Sequence, residues 1–324
     1  RAYDPAMSVE FGLALENFTP ERKVPDMAAI TSYSITAEEL GFASVWAWDH
    51  LFLGARRPFP FLEALTTLSM VAARTSRVRL GTGVLVLPIR EPAIMAKTAA
   101  TLQLASGGRL MLGVAAGWYE REFEATGVPY RQRGKIFERN LDLMQRLWAD
   151  DDVSGEWDGR VLKHVRMLPL PRPRPQVLIG GYVDRVLRRV AARSDGWVTY
   201  FYTPGAIAGA WSRICGYAEE AGRDPGQLTL VAQVPLCISS SYEEGTRLAM
   251  EYVGEYFDAP AWSEATPDSA IRGTPPQCAE QIARYIDAGV RHLVFCPYNY
   301  ETEQVRRLAS EVLPLLGPVR TGAT

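Results

Sequence analysis

Asp49-His50 follows the apolar run 44–48, and His50 is one of only 3 histidines among 324 residues. An imidazole titrates near neutral pH, so a histidine beside a carboxylate at a strand end can work as general acid or base. A hydrogen-bonded structural pair is the equal alternative on the dipeptide alone. His164 and His292 read as surface or packing residues. Gly81-Thr82-Gly83-Val84 interrupts a branched apolar run. Glycine inside a strand marks a bulge, a close approach by a ligand such as a flat ring, or tight packing against a helix. Ala115-Ala116-Gly117-Trp118-Tyr119 offers small residues and two aromatics, suited to a broad apolar pocket with accessible amides or to lid packing. Gly180-Gly181 leads into a segment carrying Arg185, Arg188, Arg189 and Arg193. Two glycines entering a helix can expose amides to a phosphate, whereas the arginines by themselves read as a solvated face.

Several chemistries lose first place. The chain has no G-x-G-x-x-G, P-loop, G-x-S-x-G or H-E-x-x-H pattern, which argues against dinucleotide-fold binding, Walker-type hydrolysis, elbow hydrolases and zincins. Glu16, Asp49 and His50 at the strand ends do not cluster further, so no metal site is expected. Cys215, Cys237, Cys278 and Cys296 are widely spaced and suggest neither a disulfide framework nor a zinc knuckle. The balance of 35 Lys+Arg against 37 Asp+Glu carries no polybasic arm for nucleic acid. No apolar run approaches the roughly 20 residues that cross a bilayer, and no leader pattern is read, so a cytoplasmic setting without membrane contact is expected. Residues 1–6, ahead of Met7, read as a remnant outside the fold, and 7–320 as one domain.

Those residues need elements to hold them. Strands are predicted at 9–15, 44–48, 78–86, 109–115, 176–179, 196–200, 228–238 and 292–296. Helices are predicted at 25–40, 61–73, 92–104, 133–148, 184–193, 204–221, 242–257, 276–288 and 302–316, with an irregular stretch through Gly273. The segment 150–175 breaks the rhythm with an acidic cluster, a hairpin predicted around Asp158-Gly159, and prolines that deny a helix. Strands apolar on both faces indicate a parallel sheet covered by helices, and eight βα units favour closure. The predicted fold is therefore an α/β protein, a (β/α)8 TIM barrel with an insertion between the fourth helix and the fifth strand. In such a barrel, chemistry sits at the C-terminal strand ends, where the residues above fall.

The strings Leu80-Gly-Thr-Gly-Val-Leu-Val-Leu-Pro88 and Gly107-Gly-Arg-Leu-Met-Leu-Gly-Val-Ala-Ala-Gly-Trp-Tyr-Glu-Arg-Glu-Phe123, then Gly127-Val-Pro, resemble the bacterial luciferase-like superfamily of flavin- and deazaflavin-dependent oxidoreductases. Asp49-His50, Gly180-Gly181, Asp195-Gly-Trp197 and Gly273-Thr-Pro belong to the same pattern. The resemblance implies a barrel, usually a homodimer, that binds reduced FMN or the deazaflavin coenzyme F420 at the strand ends. It implies that Gly83 and Val84, with Thr82 before them, form a bulge, often with a non-prolyl cis peptide, behind the ring. It places Asp49 near the ring, His50 as acid or base, and Gly180 and Gly181 at the phosphate, with Ala116 and Gly117 completing the cofactor set. Ala116 departs from the pattern, because bacterial luciferase carries a phosphate-binding arginine there.

Three functions follow as expectations. The first is a monooxygenase using O2 and reduced FMN from a separate flavin reductase, with Asp49 and His50 catalytic and Trp48, Trp118, Tyr202 and Tyr298 lining a pocket for a small, aromatic or polycyclic substrate. The second is hydride transfer with coenzyme F420, towards which Asp-His and the missing arginine lean. The third is a non-catalytic flavin-binding homologue.

Overall fold

A computed structural model describes residues 9–20, 23–54, 58–256 and 266–317. The remnant expected at 1–6 and both ends of 7–320 lie outside the described residues. The strands in chain order are β1 (Glu10–Ala14), β2 (Ser44–Ala47), β3 (Arg79–Thr82), β4 (Leu85–Val86), β5 (Leu110–Ala115), β6 (Val153–Trp157), β7 (Arg160–Val165), β8 (Gln176–Gly180), β9 (Gly196–Tyr200), β10 (Thr229–Ile238), β11 (Ile271–Gly273) and β12 (His292–Pro297). β1, β2, β3, β5, β8, β9, β10 and β12 pair in parallel around a ring, and β12 closes on β1 with Glu10 opposite His292. This is the closed (β/α)8 barrel.

Closure explains the strand composition. Alternate residues such as Ala14, Trp46, Met111, Leu178, Val198, Val231 and Val294 fill the barrel interior. Their neighbours, including Leu13, Val45, Leu112 and Val177, pack beneath the helices. Both faces of each strand are thus dry, and runs of branched apolar residues satisfy both.

The helices are α1 (Met27–Glu39), α2 (Ala64–Ala72), α3 (Pro92–Ala105), α4 (Glu120–Thr126), α5 (Arg133–Ala149), α6 (Asp184–Arg193), α7 (Pro204–Glu220), α8 (Tyr242–Tyr256), α9 (Thr266–Ser269), α10 (Pro275–Asp287) and α11 (Thr302–Arg307). Their starts carry local signals. Asp26 accepts from the Ala28 amide, while Thr203 precedes Pro204 and caps α7. α2 begins three residues later than predicted because Leu62 N–H already donates to Asn17 O at 2.8 Å and Phe61 bridges Phe18. The predicted strand 78–86 is two pieces, β3 and β4. The irregular stretch through Gly273 contains α9 and β11, and β11 adds to the edge of β10. The closing helix 302–316 stops being α-helical at Arg307, passing through a π turn and a 3-10 turn in which Pro314 supplies no amide.

The insertion forms the antiparallel β6–β7 hairpin, with Asp158 and Gly159 at φ 50° and 71°, a two-residue turn of the hairpin type. Trp157 anchors it to α5 by donating from Nε1 to Arg139 O at 3.2 Å. At the N-terminal end of the barrel, His292 is wholly buried and shares a hydrogen bond with Ser44 Oγ at 2.6 Å. Its Nδ1 lies 3.4 Å from Glu10 Oε2, and Arg79 pairs with the same Glu10. His292 is therefore a packing residue, and His164 is a surface residue paired with Asp152. No described helix is long and apolar enough to cross a membrane.

Candidate active site

A cavity of about 250 Å³ opens at the C-terminal ends of the barrel strands. Its floor is built by the junction of β3 and β4, where the Gly83-Val84 peptide is cis. Gly83 N–H donates to Ala47 O at 2.9 Å, and Thr82 Oγ1 donates to Gly113 O at 2.8 Å. Two glycines permit this geometry. A Cβ on Gly113 would stand 2.1 Å from Thr82 O, so a side chain there would push β5 off the bulge. A Cβ on Gly83 would stand 2.1 Å from Gln233 Nε2. The room left by Gly83 is thus already taken by Gln233 and is not an open bed for a ring. Thr82 is wholly buried and does not line the cavity, whereas Gly83 and Val84 do.

Asp49 and His50 both line the cavity, but they do not pair with each other in the observed hydrogen bonds. Asp49 Oδ1 accepts from Arg90 at 2.7 Å, and Oδ2 accepts from Val86 N–H at 2.9 Å. Burial pushes the Asp49 carboxyl above its ordinary range, and the Arg90 charge and the Val86 amide oppose that rise. The pair ties the end of β2 to β4.

His50 takes its carboxylate from elsewhere. Glu122, in the first turn of α4, is wholly buried and accepts from His50 Nδ1 at 3.0 Å through Oε2. Its Oε1 accepts from the amides of Leu51 at 2.6 Å and Phe52 at 3.2 Å. Three donors converge on this one buried carboxylate, which holds Glu122 in place and orients the imidazole through Nδ1. Trp118 and Phe61 stand edge-on to the same imidazole at 5.8 Å and 5.5 Å.

Of the four aromatics expected to line a pocket, Trp48 and Trp118 do so. Tyr202 and Tyr298 do not. Phe201 has a φ of 56°, which breaks the strand alternation after Tyr200 and carries Tyr202 behind Tyr182, with ring centroids 3.9 Å apart. Beyond β12, Asn299 and Tyr300 have φ values of 48° and 52°. That turn brings Tyr300, not Tyr298, to Trp48, whose Nε1 donates to Tyr300 OH at 3.0 Å. Tyr298 packs on Tyr252 instead, at 5.8 Å.

The far end of the cavity is cationic. Gly180, Gly181, Ala116 and Gly117 line it together with Arg133, Arg185 and Arg189. α6 starts here without a side-chain cap. Arg189 is buried and held by Glu138 at 2.6 Å, and Arg133 Nε donates to Gly117 O at 3.1 Å. Arg185 stands exposed at the rim. The arginine run therefore divides: Arg185 and Arg189 face the cavity, while Arg188 and Arg193 pair with Asp184 and Asp142 on the surface. No residue of 150–175 lines the cavity. Among the described residues, no group of three or more His, Cys, Asp or Glu is assembled for a metal.

Sequence reasoning missed Glu122, Arg90 and Arg133. Glu122 stood inside a quoted string but was given no role, because the short helix α4 was not foreseen. A glutamate next to Phe123, a few residues past the strand-end run Gly117-Trp118-Tyr119, was the available signal.

Residues 9–292 match the family model described as luciferase-like monooxygenase, and the chain belongs to that family. It is 34% identical over 164 residues to an uncharacterized protein of Mycobacterium tuberculosis, a match covering 51% of this chain and 57% of that relative's length. It is 29% identical to an F420-dependent glucose-6-phosphate dehydrogenase of Amycolatopsis mediterranei, over 96% of this chain and 98% of the relative. The fold is also that of the monooxygenase RslO1 from Streptomyces bottropensis, with a TM-score of 0.79 at 22% identity, covering 94% of this chain and 99% of that one.

Proposed function

We propose that the chain is an oxidoreductase of the flavin or deazaflavin class that transfers hydride between coenzyme F420 and a small secondary alcohol or its carbonyl form. The observation that carries the reading is the His50–Glu122 pair at the edge of a cavity floored by Gly83-Val84. Alcohol oxidation by hydride loss releases one proton, and a histidine backed by a carboxylate is suited to accept it. The relatives named for F420 extend over nearly the whole chain, which favours this coenzyme over FMN.

The residues present fit a flat ring carrying an anionic tail. Val84 and Trp48 supply apolar surface, and Gly180-Gly181, the uncapped start of α6, Arg133 and Arg185 supply amides and charge for a phosphate. These groups meet the need left by Ala116. When bound, the deazaflavin supplies a ring carbon that takes or returns two electrons as hydride. His50 Nε2 accepts the hydroxyl proton, Glu122 stabilises the imidazolium, and Phe61 and Trp118 keep water from the imidazole. Asp49, neutralised by Arg90, positions the bulge rather than moving a proton. The balance is one alcohol giving one carbonyl, one hydride to the coenzyme and one proton to His50.

A second reading keeps reduced FMN, O2 and a separate flavin reductase. It is favoured by the apolar wall around His50, since oxygen chemistry on a flavin requires a dry site. Anaerobic titration with coenzyme F420 and with reduced FMN, followed by a panel of secondary alcohols and then by O2, separates the two. Alcohol-dependent reduction of F420 is expected. Oxygen uptake coupled to substrate oxidation with FMN alone would transfer the assignment to the second reading. A homodimer belongs to both, and sedimentation tests it.

A further inference from the structure

Two strained turns converge on one side chain. Among the described residues, five non-glycine residues have a positive φ, and two of them, Asp158 and His164, belong to the β6–β7 hairpin. The other three, Phe201, Asn299 and Tyr300, follow β9 and β12. Asn tolerates the left-handed region, whereas for Phe and Tyr it is strained. Such torsions persist where packing over-determines them, and they cluster at functional sites.

Both turns end on Trp48. Tyr300 OH accepts from Trp48 Nε1 at 3.0 Å, and the Phe201 ring packs on the indole with centroids 5.9 Å apart. Tyr300 is itself buried, with the rings of Tyr256 and Tyr252 at 5.5 Å and 6.2 Å. The Trp48 backbone is clamped as well: its N–H donates to Asn17 Oδ1 and its carbonyl accepts from Asn17 Nδ2, both at 2.8 Å. Phe18 stands edge-on to the indole at 5.9 Å and stacks on Phe61 at 4.6 Å, and Phe61 stands edge-on to His50. Trp48 and Phe61 line the cavity, so a braced aromatic wall runs from the indole to the imidazole.

We propose that Tyr300 determines which substrates reach His50 by holding the Trp48 indole as a fixed wall, and that this wall selects uncharged alcohols with a flat apolar group on the carbinol carbon. The inference rests on the hydride-transfer reading above. An indole without its acceptor is free to turn about its side-chain torsions, and a wall that moves no longer distinguishes a phenyl group from a methyl group. With the acceptor in place the cavity keeps one width, and a flat substituent packs against a preorganised aromatic surface. Tyr300 does not line the cavity and acts only through Trp48, so it is a positioning residue.

The test compares the parent, Tyr300→Phe, Trp48→Phe and the double variant in F420 reduction with 2-propanol and with 1-phenylethanol. F420 titration and melting are recorded for each protein. The parent is expected to favour 1-phenylethanol in kcat/KM by about tenfold or more. Tyr300→Phe keeps the ring and loses only the acceptor, so it should erase most of that preference while binding F420 within about twofold of the parent. In the Trp48→Phe background no indole N–H remains, and adding Tyr300→Phe should change the preference no further. An unchanged preference in Tyr300→Phe, or an equal effect of Tyr300→Phe in both backgrounds, would overturn the inference and leave hydride transfer standing. So would a parent that prefers 2-propanol, or that oxidises other alcohols and leaves 1-phenylethanol untouched. A parent that reduces F420 with no secondary alcohol would remove the reading and this inference together.

Discussion

His50 Nδ1 stands 3.0 Å from Glu122 Oε2, although 72 residues separate them in the chain. The adjacent Asp49 is turned the other way, onto Arg90 and the Val86 amide. Two carboxylates at one mouth therefore have different duties, one backing an imidazole and one bracing the floor.

Replacing His50 by Ala is expected to lower turnover by about 10²- to 10⁴-fold with little change in cofactor affinity, since a general base acts in the transition state. Glu122→Gln keeps a hydrogen-bonding side chain beside Nδ1 but removes the carboxylate, so turnover should fall with little change in cofactor affinity. Parental turnover in Glu122→Gln would show that the carboxylate does not assist His50.

Arg90→Met leaves the Asp49 carboxylate buried beside one amide donor. A broken buried pair costs about 3–5 kcal/mol, read as a lower urea midpoint. The double variant Arg90→Met/Asp49→Asn should recover part of the loss. Equal destabilisation in the single and double variants would place the cost in packing rather than charge.

Arg185 is exposed at the cationic end of the cavity. Arg185→Ala should weaken binding of a phosphate-bearing cofactor about tenfold, with the deficit shrinking as salt rises. Fold stability should change by less than about 0.5 kcal/mol, as at other surface sites. Salt-independent binding in both proteins would put the phosphate elsewhere.

The N-terminal end of the barrel predicts acid sensitivity. Burial lowers the His292 pKa below 6.5. Burial would raise Glu10, but its His292 contact and Arg79 outweigh that and bring it from 4.5 to about 2. Both folded values lie below the unfolded ones, so the unfolded chain binds more protons and stability is lost as pH falls. Loss should begin below about pH 6.5 through His292 and steepen from about pH 4.5 towards 2 through Glu10. Urea midpoints across this range check it, and His292→Gln should flatten the upper part.

Much of the fold was legible because its signals are local. Doubly apolar strands, Pro204 after Thr203, and Asp158-Gly159 in a hairpin turn depend on residues close in sequence, and the eight βα units and the insertion appeared where expected. The mouth residues Trp48, His50, Gly83, Gly180 and Gly181 were legible as strand-end residues, and one cavity collects them. Tertiary structure alone decided who meets whom there. Closure of the ring chose Glu122 for His50, Arg90 for Asp49 and Gln233 for the space at Gly83. Backbone torsions at Phe201, Asn299 and Tyr300 turned Tyr202 and Tyr298 away from the cavity. Sequence periodicity fixes which face of an element is buried, whereas partners across a barrel mouth are set by loop torsions and by the spacing of strands distant in the chain.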